Sequence, residues 1–211
     1  MLITISRQFG AGGSQVARLV ADALGWSVVD NELIEAVAAR AGLPAEEVAA
    51  REEKGPTFIE RLARALVASP EHVYLARTPV EEIDEPRLVR ITETVVQEIA
   101  GHGKVVMVGR ATAAVLASAV DAIHVRIVAP REHRITEVAG RLKKDLKSAE
   151  KLLDETDENR RRYHREYYNR DWDDAAVYHI VLNSAVLGYE GAAHLIVARA
   201  KYELQGIGNR E

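Results

Sequence analysis

The chain of 211 residues contains no cysteine, which excludes disulfide staples and every thiolate metal site. It has no surplus of positive charge. Lys and Arg number 28 against 32 Asp and Glu, a formal net charge of −4, so nothing recommends a polymeric nucleic acid as a partner. It has no apolar run approaching the roughly 20 residues of a membrane span. Its first residues read as a strand, where a secretory leader would need a basic stretch and an apolar core. Its seven histidines include no H-x-x-x-H or similar ligand pair, so no zinc site is expected. These absences make a soluble, cytoplasmic protein without membrane contact the simplest expectation. The length suits one sizeable α/β domain with a lid or insert rather than two full domains.

What is present is an alternation of strands and helices. Leu2–Ser6, Ser27–Val29, Lys104–Val108, Ala122–Val128 and Tyr178–Asn183 read as strands. All but the short second one are continuous apolar runs with β-branched residues, as for a sheet covered on both faces. Helical spacing predicts Ser14–Leu24, Glu32–Arg40, Ala45–Glu53, Thr57–Ala68, Pro86–Ala100, Pro130–Lys144, Ser148–Asn169 and Tyr189–Leu204, with a loop over Pro70–Glu85. Alternation of this kind predicts a parallel α/β sheet. Two helical stretches interrupt it, residues 31–100 and 131–170, and their layout predicts two flaps around a nucleotide cleft.

The first strand runs into Ser6-Arg-Gln-Phe-Gly-Ala-Gly-Gly-Ser-Gln15 and then a helix. Strand, glycine-rich turn and helix form the phosphate-cradling arrangement, in which backbone N–H groups and the positive end of the helix face an anion. Gly10, Ala11, Gly12, Gly13, Ser14 and Gln15 are the candidate phosphate-binding residues. The P-loop pattern G-x-x-x-x-G-K-[ST] would put a lysine at position 13, and position 13 is Gly13. Ser14 falls where such a loop has its Mg²⁺ ligand. Arg7 falls where the loop has its first glycine. Arg7 or Arg18 could supply the missing charge, and Arg7 is closer. The competing reading is a tight turn with no ligand.

Val108-Gly-Arg110 follows the third strand directly. Ligands of open parallel sheets lie beyond the C-terminal strand ends, and a guanidinium grips phosphate oxygens in a fork. Arg110 therefore either binds a phosphate or caps a loop. Asp30 ends the second strand. It either caps the helix that follows or reaches Mg²⁺-bound water, a sugar or a base. Residues 31–60 carry seven Glu against three Arg and Lys, which reads as a solvated face. Residues 131–170 carry twelve Arg and Lys against nine Asp and Glu, so positive charge is concentrated where a lid would close over phosphates. Arg160 and Arg161 point about 100° apart on a helix, so both cannot face one cleft. Asp157 can pair with either at helical spacing. Tyr163, Tyr167 and Tyr168 form one stripe, followed by Trp172. Packing onto the core or a second subunit, which leaves room for a homodimer, competes there with base stacking.

Ile3-Thr-Ile-Ser-Arg-Gln-Phe-Gly-Ala-Gly-Gly-Ser-Gln-Val-Ala17 resembles the opening of the cytidylate kinase-like family, a branch of the P-loop nucleoside monophosphate kinases. The likeness continues through Val29-Asp-Asn-Glu-Leu-Ile34, Val108-Gly-Arg110, His124-Val-Arg-Ile-Val-Ala-Pro130, Arg134, Asp157-Glu-Asn-Arg-Arg-Arg-Tyr163, Tyr168-Asn-Arg-Asp-Trp172 and Val181-Leu-Asn183. The blocks come in order and span most of the chain, and the missing lysine is a trait of that family. The resemblance implies a three-layer P-loop NTPase or nucleoside monophosphate kinase fold. It would be a single domain over 1–211 around a sheet of about five parallel strands, with an acceptor-binding insert at about 31–100 and a lid at about 131–170. It implies ATP and Mg²⁺ as cofactors and nucleotide substrates. Arg110 would hold the acceptor phosphate, with Asp30 near the acceptor region. Arg160 is the best lid candidate, with Arg134 and Arg162 behind it. In this reading Arg7, Arg134 and Arg160 supply the catalytic charge, and the acceptor is a pyrimidine nucleoside monophosphate such as CMP. The alternative is a non-catalytic nucleotide or phosphate sensor on a kinase scaffold.

Overall fold

The computed structural model describes residues 1–30, 40, 42 and 85–206. Their order is β1 (Leu2–Arg7), α1 (Gly13–Leu24), β2 (Ser27–Val29), α2 (Glu85–Gly101), β3 (Val105–Val108), the short α3 (Thr112–Val115), β4 (Ala122–Val128), α4 (Arg131–Leu142), α5 (Leu146–Tyr168), a 3₁₀ turn (Ala175–Val177), β5 (Ile180–Asn183) and α6 (Ser184–Leu204). The helices expected at Ala45–Glu53 and Thr57–Ala68 lie outside the described residues, as does the Pro70–Glu85 loop but for its last residue. Of Glu32–Arg40, only Arg40 is described. The chain divides into two compact units, Met1–Val28 with His102–Glu211, and Val29–Gly101. Within the second, α2 buries Leu88, Val89, Val95 and Val96, and Arg40 pairs with Glu98 at 2.8 Å.

The five strands form one sheet in the order β2-β3-β1-β4-β5. β1 pairs in parallel with β3 and with β4, and β4 with β5. The central position of β1 explains its sequence. Ile3 and Ile5 are fully buried and join Val106, Val108, Ile123, Val125 and Ile127 in one apolar cluster. The same cluster takes in Val16 and Val20 from α1 and Ala192, Ile196 and Ala200 from α6. Burying each large aliphatic side chain contributes about 1.5–3 kcal/mol, so this layer anchors the turn that connects β1 to α1.

The opposite face of β1 and β4 is polar although it is buried. Side chains alternate along a strand, and the register sets Thr4 beside His124 and Ser6 beside Arg126. Thr4 Oγ1 and His124 Nδ1 lie 2.8 Å apart. Trp172 Nε1 donates to Ser6 Oγ at 3.0 Å, and Arg126 lies over the Trp172 ring at 4.1 Å. Arg126 also donates to the Trp172 carbonyl, to the Tyr178 hydroxyl and to Asp173, the last at 2.5 Å. Each side chain of this network finds a partner, as burial of polar groups demands, although His124 Nε2 is buried without one among the described residues. Trp172 therefore works as a covering ring on the sheet.

α6 begins five residues before the expected Tyr189. Asn183 caps it by accepting from the Ala185 N–H at 3.1 Å. The helical pattern is broken by Gly188 at φ 68° and ψ 170°, a conformation open to glycine almost alone.

Candidate phosphate site at the first strand–helix turn

The turn after β1 is pinned from several directions. Gln8 N–H donates to the Ile127 carbonyl at 3.0 Å, and the Gln8 side chain accepts from Ala129 N–H at 3.1 Å. Phe9 N–H donates to Asp157 Oδ1 at 2.9 Å, Ala11 N–H to the Gln8 carbonyl at 3.1 Å, and Ser184 Oγ to the Ala11 carbonyl at 2.7 Å. Gly12 is the N-cap of α1, at φ 77° and ψ 18°, and no side chain caps the helix. The N–H groups of Gly13, Ser14 and Gln15 open that helix, where no preceding turn supplies carbonyls, and they carry its positive end. Gly10, Ala11, Gly12 and Gly13 are buried, while Ser14 and Gln15 are partly exposed.

Arg7 runs along this turn. A Cβ on Gly13 would lie 2.5 Å from Arg7 Cβ and 2.7 Å from Arg7 Cγ. At its far end the guanidinium reaches Gly109, where a Cβ would lie 2.8 Å from Arg7 Cζ. The side chain thus spans from the first turn of α1 to the end of β3. Gly109, Arg110 and Ala111 there adopt φ of 76°, 53° and 48° in succession. Left-handed backbone at Arg110 and Ala111 is uncommon for non-glycine residues and concentrates at ligand sites. Gly109 N–H donates to the Ile5 carbonyl at 3.1 Å, which ties this turn to β1, and Arg110 is 9% exposed. Arg7 and the Gly109–Arg110 turn are therefore brought together.

The arginines of α4 and α5 have distinct partners. Arg134 on α4 is buried and committed. It donates to Asp157 Oδ2 at 2.5 Å, to the Ala129 carbonyl at 3.0 Å and to the Phe9 carbonyl at 3.2 Å. Asp157 on α5 is 2% exposed and holds both Arg134 and the Phe9 N–H. Arg160, one turn on, donates to the Arg7 carbonyl at 2.7 Å and lies 3.8 Å from Asp157. Arg160 and Arg141 both lie over the Phe9 ring, at 5.9 and 5.3 Å. Arg161 points elsewhere, to Asp173 at 2.6 Å and Glu158 at 3.2 Å. Arg162 and Arg18 are exposed. α4 and α5 thus hold the loop through Arg134, Asp157 and Arg160. The tyrosine rings contact one another, Tyr163 with Tyr167 at 5.0 Å and with Tyr168 at 5.9 Å. Asp30 directly follows β2 and belongs to the Val29–Gly101 unit.

The model of the cytidylate kinase-like family matches residues 2–186, a stretch that holds the whole turn, the Gly109–Arg110 turn, α4 and α5. This chain belongs to that family. A curated relative, the cytidylate kinase of Archaeoglobus fulgidus, is 28% identical over 199 residues, 93% of each chain. Among solved structures, an uncharacterised protein from Eubacterium ventriosum superposes with a TM-score of 0.67 at 19% identity, covering 95% of this chain and 98% of that one. The shikimate kinase of Bacteroides thetaiotaomicron superposes at 0.54 with 12% identity, covering 97% and 98%. At those identities the structural likeness establishes the fold, a P-loop-like α/β fold around a five-stranded parallel sheet.

Within this cytidylate kinase-like chain, several site residues carry no signal in sequence. Tyr189 packs its ring on Gly12, where a Cβ would lie 2.7 Å from Tyr189 Cζ. Its hydroxyl bonds Glu137 at 3.2 Å, and burial, then Glu137, pushes its pKa up. Ser184 holds the loop from the start of α6, 173 positions from its partner. Glycine at 12 and 188 was the available hint, and neither glycine names the partner. Ser14 suits the expected Mg²⁺. It offers one hard hydroxyl oxygen from the partly exposed start of α1, and Mg²⁺ at phosphate sites takes few protein ligands and completes its shell with phosphate and water.

Proposed function

We propose that this protein transfers the γ-phosphoryl group of ATP to a small acceptor, a nucleoside monophosphate such as CMP. One observation carries the reading. The uncapped start of α1 and the strained Gly109–Arg110–Ala111 turn are joined by a single arginine, Arg7. In-line transfer needs a donor cradle and an acceptor cradle with positive charge between them. The amides of Gly10–Gln15 would hold the donor phosphates and Arg110 the acceptor phosphate. Ser14 would hold Mg²⁺, which neutralises phosphate charge when bound. An acceptor phosphate oxygen attacks the γ-phosphorus and the bond to the ADP oxygen breaks. The nucleophile is already an anion, so no side chain has to remove a proton. Arg160 donates to the Arg7 carbonyl at 2.7 Å and would be the lid cation that serves the loop. Arg134 serves the reaction by bracing the loop through Asp157.

A second reading, a nucleotide or phosphate sensor that does not turn over, draws on Gly13 and on the commitment of Arg134 to Asp157. A coupled assay of ADP formation, run with each nucleoside monophosphate in turn, separates the two. The kinase reading expects turnover with one acceptor. Arg110→Ala should cut kcat/KM at least tenfold, because a charge-assisted phosphate contact is worth about 1.5–3 kcal/mol. Mg²⁺–ATP binding without turnover on any acceptor would leave the sensor.

A further inference from the structure

We propose that positions 7 and 13 are alternative seats for one loop cation, and that in this chain the cation at 7 is what forbids the lysine at 13. The inference rests on the phosphate-binding reading above and goes beyond it, because it makes the missing lysine a consequence of packing. The P-loop spacing puts glycine at position 7 and lysine at 13, and this chain has Arg7 and Gly13, the reverse assignment. The structure supplies the reason. A Cβ at 13 would meet Arg7 Cβ at 2.5 Å and Arg7 Cγ at 2.7 Å. Cγ can move by rotation about χ1, but Cβ is set by the backbone and cannot swing away as a side-chain tip could. The backbone is fixed as well, since Arg7 is the last residue of β1, in register with Ile127 of β4. A side chain fits at 7 or at 13, and not at both.

The exchange also moves the charge. A lysine at 13 would rise from the helix start. Arg7 instead ends at Gly109, beside Arg110. The Arg7 guanidinium then lies at the turn that carries Arg110, which suits an acceptor bearing a phosphomonoester, a group that a planar fork grips.

A double-mutant cycle on the full chain tests this. In thermal unfolding, Gly13→Ala should lower Tm by about 3–10 °C when Arg7 is present, as overpacking does. It should remain costly beside Arg7→Ala, which keeps the Cβ at 2.5 Å, and should cost nothing beside Arg7→Gly. In calorimetric titration with Mg²⁺–ATP, Arg7→Gly and Gly13→Lys should each weaken binding by on the order of tenfold or more. The double variant Arg7→Gly/Gly13→Lys should recover to within a few-fold of the parent. Gly13→Ala tolerated beside Arg7, or a double variant that binds no better than Arg7→Gly, would overturn the proposal. If the parent chain binds no Mg²⁺–ATP, the kinase reading falls instead, and the unfolding cycle alone decides the exclusion between 7 and 13.

Discussion

His124 and His164 are imidazoles placed where a charge is unwelcome. His124 stands on the polar face of β4, 2% exposed, and His164 on α5, 8% exposed. Burial, then the neighbouring His179, lowers His124 from 6.5 to about 4. Burial, then Arg170, Arg126 and Arg160, lowers His164 from 6.5 to about 4. Both are therefore neutral in the fold, and the sign of the linkage follows. Above about pH 6.5 neither the folded nor the unfolded chain protonates them, and they impose no pH dependence. Between about 6.5 and 4 the unfolded chain takes up protons that the fold refuses, so stability is lost as pH falls through that window. Each histidine contributes a slope of up to about 1.4 kcal/mol per pH unit. Denaturant unfolding between pH 7 and pH 4.5 should show this decline, and His164→Gln should remove about half of the histidine-driven part. An identical slope in the variant would refute it.

At the scale of elements, the contact that matters is α5 against the β1–α1 loop. Asp157 joins Arg134 of α4 to the Phe9 N–H, with both side chains buried. Removing one partner of a buried pair strands the other charge, at a cost of about 3–5 kcal/mol. Asp157→Asn should therefore destabilise the protein by about that amount in denaturant unfolding, although asparagine can still accept from Phe9. Adding Arg134→Met should recover part of the loss, because the stranded charge is then gone. A loss below about 1 kcal/mol for Asp157→Asn would show that the latch is not tight. The sequence makes some of this legible. All five strands lie within two residues of their expected limits, and four of them are continuous apolar runs, the strong local signal that burial of a strand leaves. The glycine-rich turn is legible for the same reason. The short α3 is not, since four residues give no helical period. Helical spacing offers Asp157 either Arg160 or Arg161, and Arg160 does lie 3.8 Å from it, but no local pattern points to its 2.5 Å partner Arg134, 23 positions away. Nor does any local pattern join Ser6, Arg126, Trp172 and Asp173: the strand register sets Ser6 beside Arg126, and the connection after α5 lays Trp172 and Asp173 on them.

For the whole molecule, the sheet order puts β1 between β3 and β4, so the loop after β1 is flanked by the turn after β3 and by α4 and α5, which follow β4. One ligand resting on that loop can touch segments that are more than a hundred residues apart in sequence. Binding should therefore be visible in the stability of the fold. A ligand held at 100 times its Kd adds about 2.7 kcal/mol to the folded state. For a chain of this size that raises Tm by about 5–10 °C. Mg²⁺–ATP should produce such a rise under either functional reading, because both require the loop to hold phosphates. The readings part at the acceptor. A kinase must hold donor and acceptor together, so a non-hydrolysable ATP analogue followed by the right nucleoside monophosphate should give a second rise, and Arg110→Ala should abolish the second while sparing the first. A donor-only rise across every monophosphate would favour the sensor. No rise with Mg²⁺–ATP would remove the ATP-binding premise from both.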